Sequence, residues 1–286
     1  MKRPHYVTDK ALKQFIKSAL EEDIQSGDHS TLSTIPKELV QSAKLLVKED
    51  CILAGVELAE IIFKTFDKDL KVEVFIKDGE NAKVGDIAFI VTGSARSILS
   101  TERLVLNCMQ RMCGIATLTN RYTQLLKGYH TRILDTRKTT PNFRLAEKWA
   151  CKIGGAVNHR YGLFDMILIK DNHVDFAGGI QAALEKAFTY NASLPEPLAI
   201  EIEVRNEDEL DQVLAIGGVQ RIMLDNFSPE RLRAAIRKID GRFVTEASGG
   251  INEKTLRAYG ETGVDYISVG ALTHQVKSLD LSLKAK

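Results

Sequence analysis

The sequence predicts an α/β protein of two parts, a small α+β layer domain followed by a (β/α) barrel in which six strands are visible. Three observations lead there. Beyond Thr131 the apolar, β-branched runs RILD, DMILIK, LAIEIEV, RIMLD, FVTE and VDYISV alternate with helical patterns. The last four runs start roughly 22 residues apart, the length of a strand, a loop and a helix, which predicts parallel βα units with right-handed crossovers. Before that point the strand-like runs are short, turn back on one another and follow no βα period.

In order, the chain opens with a helical stretch from Asp9 to Asp23, whose Ala11, Leu12, Phe15, Ile16, Ala19 and Leu20 share one stripe, with Asp9 as its cap. The loop QSGDHST follows. Its Asp28 and His29 are candidates for chemistry, against the commoner role of polar turn residues that satisfy backbone groups. A strand AKLLVKE, a helix GVELAEIIFKTF, a strand KVEVFI, the turn region DGENAKVGD and a strand IAFIVTG complete the first layer structure. A long helix is then expected from Ser97 to Lys127, with Gly114 as a break or close-packing point. Within it, Glu102 and Arg103 read as a helical ion pair or, more sharply, as a buried arginine at a subunit contact. The domain junction falls in this helix, giving residues 1–115, joined by 275–286, and residues 116–274.

Composition narrows the function classes. With 39 Lys and Arg against 38 Asp and Glu in 286 residues, the formal charge is +1, which argues against a general binder of nucleic acid or membrane surfaces. The N-terminal MKRPHYVTDKALKQF lacks the apolar core of a secretory signal, and no run reaches the ~18 apolar residues of a membrane span, so the cytoplasm is the expected compartment. Cys51, Cys108, Cys113 and Cys151 form no C-x-x-C pair and read as reduced, buried thiols.

Against that neutral background, residues 135–173 concentrate positive charge: Arg137, Lys138, Arg144, Lys148, Lys152, Arg160 and Lys170 stand against Asp135, Glu147, Asp165 and Asp171. Arg137, Lys138, Arg160 and Lys170 follow apolar strands or lie in the adjoining loop, where a barrel builds its site, and so suggest a pocket for an anion. Arg144, Lys148 and Lys152 fall at i, i+4, i+8 of the intervening helix and read as a solvated stripe or a subunit contact.

The strand-like runs also close on polar residues: Asp135, Lys170, Glu203, Asp225, Glu246 with Ser248, and Ser268 before Gly270. Alternation aims Glu201 and Glu203 at the same side, the barrel lumen, where buried carboxylates need partners such as Lys170, Arg137 or Mg²⁺. In EASGGI, Ser248, Gly249 and Gly250 stand between a strand and a helix expected near Asn252; SVGALTH repeats the device with Gly270 and Ala271. Small-residue loops after the last two strands are where barrels commonly hold a phosphate. A phosphate end, a carboxylate pair and a cationic rim suit transfer of a phosphorylated sugar to an acidic acceptor, with Mg²⁺ neutralising a pyrophosphate leaving group. Asp171 and His173 offer a metal pair, weighed against their ordering of a loop.

The motifs DTRKTTP, GGAVNHRYGLFDMILIKDNH, EIEV, IMLDN, EASGGI and GVDYISVGALTH, with GDHST and TERLVLN in the first half, together resemble nicotinate-nucleotide pyrophosphorylase (carboxylating), the quinolinate phosphoribosyltransferase family, over the whole chain. The resemblance implies an N-terminal α/β open sandwich domain, an incomplete (β/α) barrel, and a homodimer or hexamer with a shared active site. It also implies the Mg²⁺-dependent reaction of quinolinate with 5-phosphoribosyl 1-diphosphate to nicotinate mononucleotide, diphosphate and CO₂. Carried over, the carboxylates of quinolinate would meet Arg137, His159, Arg160, Lys170 and, from a second subunit, Arg103. Lys138 would lie between the substrates, Glu203 and Asp225 would face the ribose and its metal, and Ser248, Gly249, Gly250 and Gly270 would hold the phosphate, with His274 at the same end. Gln275 stands where the family usually has a small residue. A nicotinate-specific sister transferase would keep the phosphate loops and alter the cationic rim, whereas Arg137, His159, Arg160 and Lys170 are all present; a non-catalytic anion binder would have no use for Glu203 and Asp225.

Overall fold

A computed structural model describes residues 3–286. In chain order the elements are α1 (Asp9–Ile24), α2 (His29–Thr34), β1 (Val40–Val47), β2 (Cys51–Ile52), α3 (Val56–Phe66), β3 (Lys71–Val74), β4 (Asn81–Ala82), β5 (Ile87–Ser94) and α4 (Ala95–Leu125). There follow β6 (Arg132–Leu134), α5 (Arg144–Ile153), β7 (Ile167–Ile169), α6 (Asp171–Ala177), α7 (Ile180–Ala192), β8 (Ile200–Val204) and α8 (Glu207–Ile216). The last are β9 (Arg221–Asp225), α9 (Pro229–Ile239), β10 (Val244–Ser248), α10 (Leu256–Gly260), β11 (Tyr266–Ser268), α11 (Ala271–His274) and β12 (Leu281–Ala285). Two compact units result: one holds the chain up to Arg121, Thr139–Gly155 and the stretch from Leu272, and the other holds Tyr122–Lys138 and Ala156–Ala271.

The first unit is built on an antiparallel sheet of order β12-β1-β5-β3. Its buried face comes from alternation in β1, where Ala43, Leu45 and Val47 point inward. Phe63 of α3 meets Phe89 of β5 edge-on, with ring centroids 6.0 Å apart. Helix starts are set by side chains. The Thr8 hydroxyl, and not Asp9, caps α1, accepting from Ala11 N at 3.2 Å, while Asp9 pairs with Arg3 at 2.8 Å. Asp28 caps α2 through Thr31 N at 3.0 Å and accepts from Ser100 Oγ at 3.1 Å, so this part of the GDHST motif orders backbone. Gly55, at φ +96°, precedes α3 without a side chain to cap it, and Asp78 supplies the carboxylate instead, 2.8 Å from Val56 N and 3.2 Å from Glu57 N.

α4 is continuous through Gly114, which is a close-packing point and not a break: a Cβ there would collide with the carbonyl oxygen of Lys277 and lie 2.9 Å from Val276 Cγ1. α5 also packs in the first unit, and the expected solvated stripe is absent from it. Lys148 is buried together with Leu145, Ala146, Glu147, Trp149, Ala150, Cys151 and Ile153. The buried Glu147 carboxylate explains how a charged helix can be enclosed: it accepts from Arg111 Nε at 3.0 Å and from Thr140 N and Oγ1, each at 2.9 Å. Arg111 in turn donates to the carbonyls of Thr273 and Val276. All four cysteines are buried and unbridged.

The second unit is a six-stranded, all-parallel sheet of order β6-β11-β10-β9-β8-β7. The edge strands β6 and β7 are not paired with each other, so the barrel is incomplete; Val157 adds one parallel bridge at Leu134 on the β6 side. One face carries Ile169, Ile200, Ile202, Val204, Ile222, Leu224, Ala247 and Ile267, all buried, as strands covered by helices require. Each such aliphatic side chain contributes roughly 1.5–3 kcal/mol by leaving water. The helix expected near Asn252 begins only at Leu256, because Asn252 itself folds a turn, its Oδ1 accepting from Lys254 N at 3.0 Å. No helix among the described residues is long and apolar enough to cross a membrane.

Replacing Gly114 by Ala should destabilise the protein by about 1–3 kcal/mol, the usual cost of overpacking against backbone, read as a lower urea midpoint at unchanged slope.

Candidate active site

The register of the parallel sheet places polar residues on its other face. Leu168 pairs with Glu201 and Glu201 with Arg221, while Glu203 pairs with Met223, Met223 with Glu246 and Glu246 with Tyr266. Residues two apart on a strand share a face, so Glu203, Asp225 and Ser248, near the C-terminal ends of β8, β9 and β10, lie on the same face as Glu201, Arg221 and Glu246, with Asp225 and Ser248 directly paired. Lys170, immediately after β7, donates to Glu203 Oε2 at 2.5 Å. Glu203 is 7% exposed and Lys170 44%, so the pair has one end in the sheet and one in solvent. Asp225 is half-buried and accepts from Asn226 Nδ2 at 2.6 Å.

Beneath these groups lies a buried cluster. His159 Nε2 is 3.1 Å from Glu201 Oε2 and 3.4 Å from Glu246 Oε2. Arg221 Nη1 is 2.9 Å from Glu246 Oε2 and 3.7 Å from Glu201 Oε2, and its guanidinium stacks 4.8 Å from the centre of the Tyr266 ring. Burial pulls the His159 imidazole down, but Glu201 and Glu246 overturn this and bring it to about 9. Burial, then the proximity of Glu246, raises Glu201. For Glu246, burial acts upward but is outweighed by His159 and Arg221, which leave it below the usual carboxylate range. His159 Nδ1 accepts from Arg160 N at 2.6 Å, so the ring edge that carries Nε2 is the one turned toward the two carboxylates. Among the described residues, His159, Glu201 and Glu246 also form a group close enough to ligate a metal, with donor atoms within 4.8 Å of one another. The Arg221 guanidinium already supplies their cation.

The cationic segment is held from Asp135. This fully buried carboxylate accepts from His159 N at 2.8 Å and from Asn158 Nδ2 at 2.6 Å. Asp165 folds the next loop, accepting from Tyr161 N at 2.6 Å and Gly162 N at 3.0 Å, and Arg160 Nη1 donates to Met166 O at 3.1 Å. Burial and then repulsion from Arg137 lower the Arg160 pKa. Two guanidinium groups brought close enough to repel one another favour a bound anion. Lys138, one residue beyond Arg137, is exposed. His173 Nδ1 accepts from Lys170 N at 3.0 Å, so it orders the start of α6.

After β10 the chain turns at Gly249 (φ +100°) and Gly250 (φ +60°). A Cβ on Gly249 would collide with the side chain of Asn226, whose N donates to Ser248 O at 2.8 Å. Glycine is required there by both conformation and space. Gly270 lies two residues beyond the end of β11 and is partly exposed. Arg103 and His274, both solvent-exposed, belong to the first unit. Arg103 makes no ion pair with another described residue, and the expected pairing with Glu102 is not formed.

Residues 28–113 match the family described as quinolinate phosphoribosyl transferase, N-terminal domain, and residues 115–284 its C-terminal domain. The chain belongs to the quinolinate phosphoribosyltransferase family. It is 45% identical over 288 residues to "Quinolinate phosphoribosyltransferase [decarboxylating] 2b, mitochondrial" of Nicotiana tabacum, covering 96% of this chain and 82% of the relative. It is 39% identical to "Probable nicotinate-nucleotide pyrophosphorylase [carboxylating]" of Bacillus subtilis, over 95% of this chain and 92% of that one. Among solved structures, NadC of Streptococcus pyogenes superposes with a TM-score of 0.91 at 38% identity, covering 97% of each chain. The nicotinate-nucleotide pyrophosphorylase of Francisella tularensis gives 0.90 at 37% identity over the whole of both.

Within this quinolinate phosphoribosyltransferase fold, the sheet register gathers Lys170, Glu203, Asp225 and Ser248, and the loop after Val157 carries His159 and Arg160. Arg221 is the residue that the strand-end pattern overlooks, because it begins its strand. Its signal was the two-residue alternation Arg221, Met223, Asp225, which puts a cation on the face already assigned to carboxylates. Asp135→Ala should leave the His159 amide without its acceptor and cost about 1–3 kcal/mol, measurable by urea unfolding.

Proposed function

We infer that the chain carries out the reaction of its family: it transfers phosphoribosyl from 5-phosphoribosyl 1-diphosphate to quinolinate with decarboxylation, giving nicotinate mononucleotide, diphosphate and CO₂ in NAD biosynthesis. The observation that carries this reading at the level of residues is the gathering of Lys170, Glu203, Asp225 and Ser248 on one face of the parallel sheet, at the strand ends.

Each part then has a task. Arg137, Arg160 and Lys170 bind the two carboxylates of quinolinate, which one exposed cation would hold poorly in water. His159 belongs to the same segment, and Lys138 reaches between the two substrates. Ser248, Gly249, Gly250 and Gly270 receive the 5-phosphate, where backbone without side chains allows close approach. Arg103 and His274 are carried over from the family resemblance. Glu203 and Asp225 face the ribose, whose anomeric carbon becomes cationic as the bond to diphosphate breaks and the ring nitrogen of quinolinate bonds to it. The positive charge on the new pyridinium nitrogen then stabilises the electron pair left on the adjacent ring carbon when its bond to CO₂ breaks, and that carbon takes up a proton. No separate decarboxylation cofactor is needed.

Glu203 and Asp225 also suit Mg²⁺. They are hard oxygen donors on neighbouring strands, and Mg²⁺ is typically held by one or two carboxylates together with substrate phosphates. When bound, the ion would neutralise the diphosphate leaving group. A homodimer in which Arg103 enters the site of a second copy accounts for an exposed arginine with no ion pair of its own; a hexamer built from three such dimers is compatible with this. The expected compartment is the cytoplasm, although the names of the plant relatives, mitochondrial or chloroplastic, show that the family is not confined to one.

With Mg²⁺ and phosphoribosyl diphosphate, CO₂ release from quinolinate is expected, and turnover of nicotinate alone would overturn the substrate assignment. Glu203→Ala and Asp225→Ala should each lower kcat by about 10²-fold or more in steady-state assays. Arg103→Ala and Lys170→Ala should each be inactive, yet regain up to about one quarter of wild-type activity when subunits are exchanged, because half the dimers are then mixed and each holds one intact site. Failure despite demonstrated exchange would rule out sharing.

A further inference from the structure

We propose that Glu246, together with Glu201 and Arg221, is a positioning residue for the acid substrate, acting through His159 to fix Arg160. The proposal rests on the reading of Arg160 as an acid-binding residue and adds the device that aims it.

Both ring nitrogens of His159 face polar groups inside the protein, Nδ1 in a hydrogen bond and Nε2 in ion-pair proximity without hydrogen-bond geometry. Nδ1 accepts from the backbone N–H of Arg160 at 2.6 Å, and Nε2 lies 3.1 Å from Glu201 and 3.4 Å from Glu246. With its side chain 6% exposed, the imidazole is enclosed between these contacts. It is therefore a strut between the sheet and the loop. Its inner end is fixed by two carboxylates on β8 and β10, strands separated only by β9. Arg221 on β9 lies between them and offsets their charge, 2.9 Å from Glu246 and 3.7 Å from Glu201. Its outer end holds the amide of the residue whose guanidinium meets the anion. The sheet itself cannot hold that amide, because His159 and Arg160 lie beyond the single bridge at Val157.

Such a chain makes a specific thermodynamic demand. If Glu246 matters because it orients His159, and His159 because it orients Arg160, then removing Arg160 removes the value of the other two. A role confined to stability would leave the affinity for the acid untouched.

The test is a double-mutant cycle on quinolinate KM, with KM for phosphoribosyl diphosphate and melting temperature measured alongside. Glu246→Gln, which keeps the shape and removes the charge, should raise quinolinate KM about ten-fold with little change in kcat or in the other KM, the scale typical of supporting residues around a site. In the Arg160→Ala background, Glu246→Gln and His159→Ala should each add less than about two-fold. Glu246→Asp should recover part of the lost affinity. Equal losses with and without Arg160 would overturn the proposal, as would a lower melting temperature with unchanged quinolinate KM. Arg160→Ala alone separates this proposal from the reading beneath it. An unchanged KM there removes Arg160 from the acid site and takes the route with it, whereas a raised KM combined with additive Glu246→Gln losses removes only the route. If Glu246→Gln does not fold, Glu201→Gln goes through the same cycle with the same expectations.

Discussion

The contact between two carboxylates, one imidazole and one guanidinium inside the parallel sheet is the constraint on which the second unit depends. Glu201 and Glu246 are fully buried, and neither is tolerable there alone, since an unpaired carboxylate in such surroundings costs several kcal/mol or gives up its charge. Together with Arg221 and His159 they cancel. The arrangement demands one strand register, because a slip of one residue would exchange Glu201, Arg221 and Glu246 for Ile200 or Ile202, Ile222 and Ala247, putting charge among the covering helices and aliphatic groups where the ion pairs are now. Electrostatics thus chooses the register, and the register delivers Glu203, Asp225 and Ser248 to one edge.

That edge shows how a barrel separates stability from function along a single strand. In β8, Ile200, Ile202 and Val204 serve the core, Glu201 the internal charge balance, and Glu203 the outward-facing pair with Lys170. Five buried residues meet three different requirements, each set by the direction a side chain points and its height along the strand. The loops complete the division. Asp135 and Asp165 accept from backbone amides, and Asp135 from the Asn158 side chain as well, so that the neighbouring cations are held where a ligand can use them.

Much of this was legible in the sequence because parallel strands announce themselves. The six runs after Thr131 became the six strands, the alternation in EIEV set the direction of Glu201 and Glu203, and glycines after a strand marked a loop that requires them. What escaped were the effects of partners distant in sequence. Lys148 and Glu147 look like surface residues on any helical wheel, and only Arg111, 36 positions before Glu147, reveals why that helix can be buried. Arg221 reads as a strand flank until the register sets it against Glu201. His159 is placed at the acid by the family resemblance alone, and the sequence does not show that its ring nitrogens face Arg160 N and the two glutamates. Periodicity reports which way a side chain points, and it is silent about what waits there.

The pairing of β12 with β1 has a consequence in time. Val47 lies opposite Leu281 and Leu45 opposite Leu283, so the edge of the first sheet is closed by a segment made more than 230 residues later. At about 5–20 residues per second, a ribosome needs roughly 10–50 s to bridge that gap. During that interval β1, with Leu45 and Val47 on one face, presents unpaired amides and carbonyls to any nascent or neighbouring strand. The protein's hazard on the way to its native state lies at this waiting edge, far from its chemistry, and translation speed sets how long it lasts.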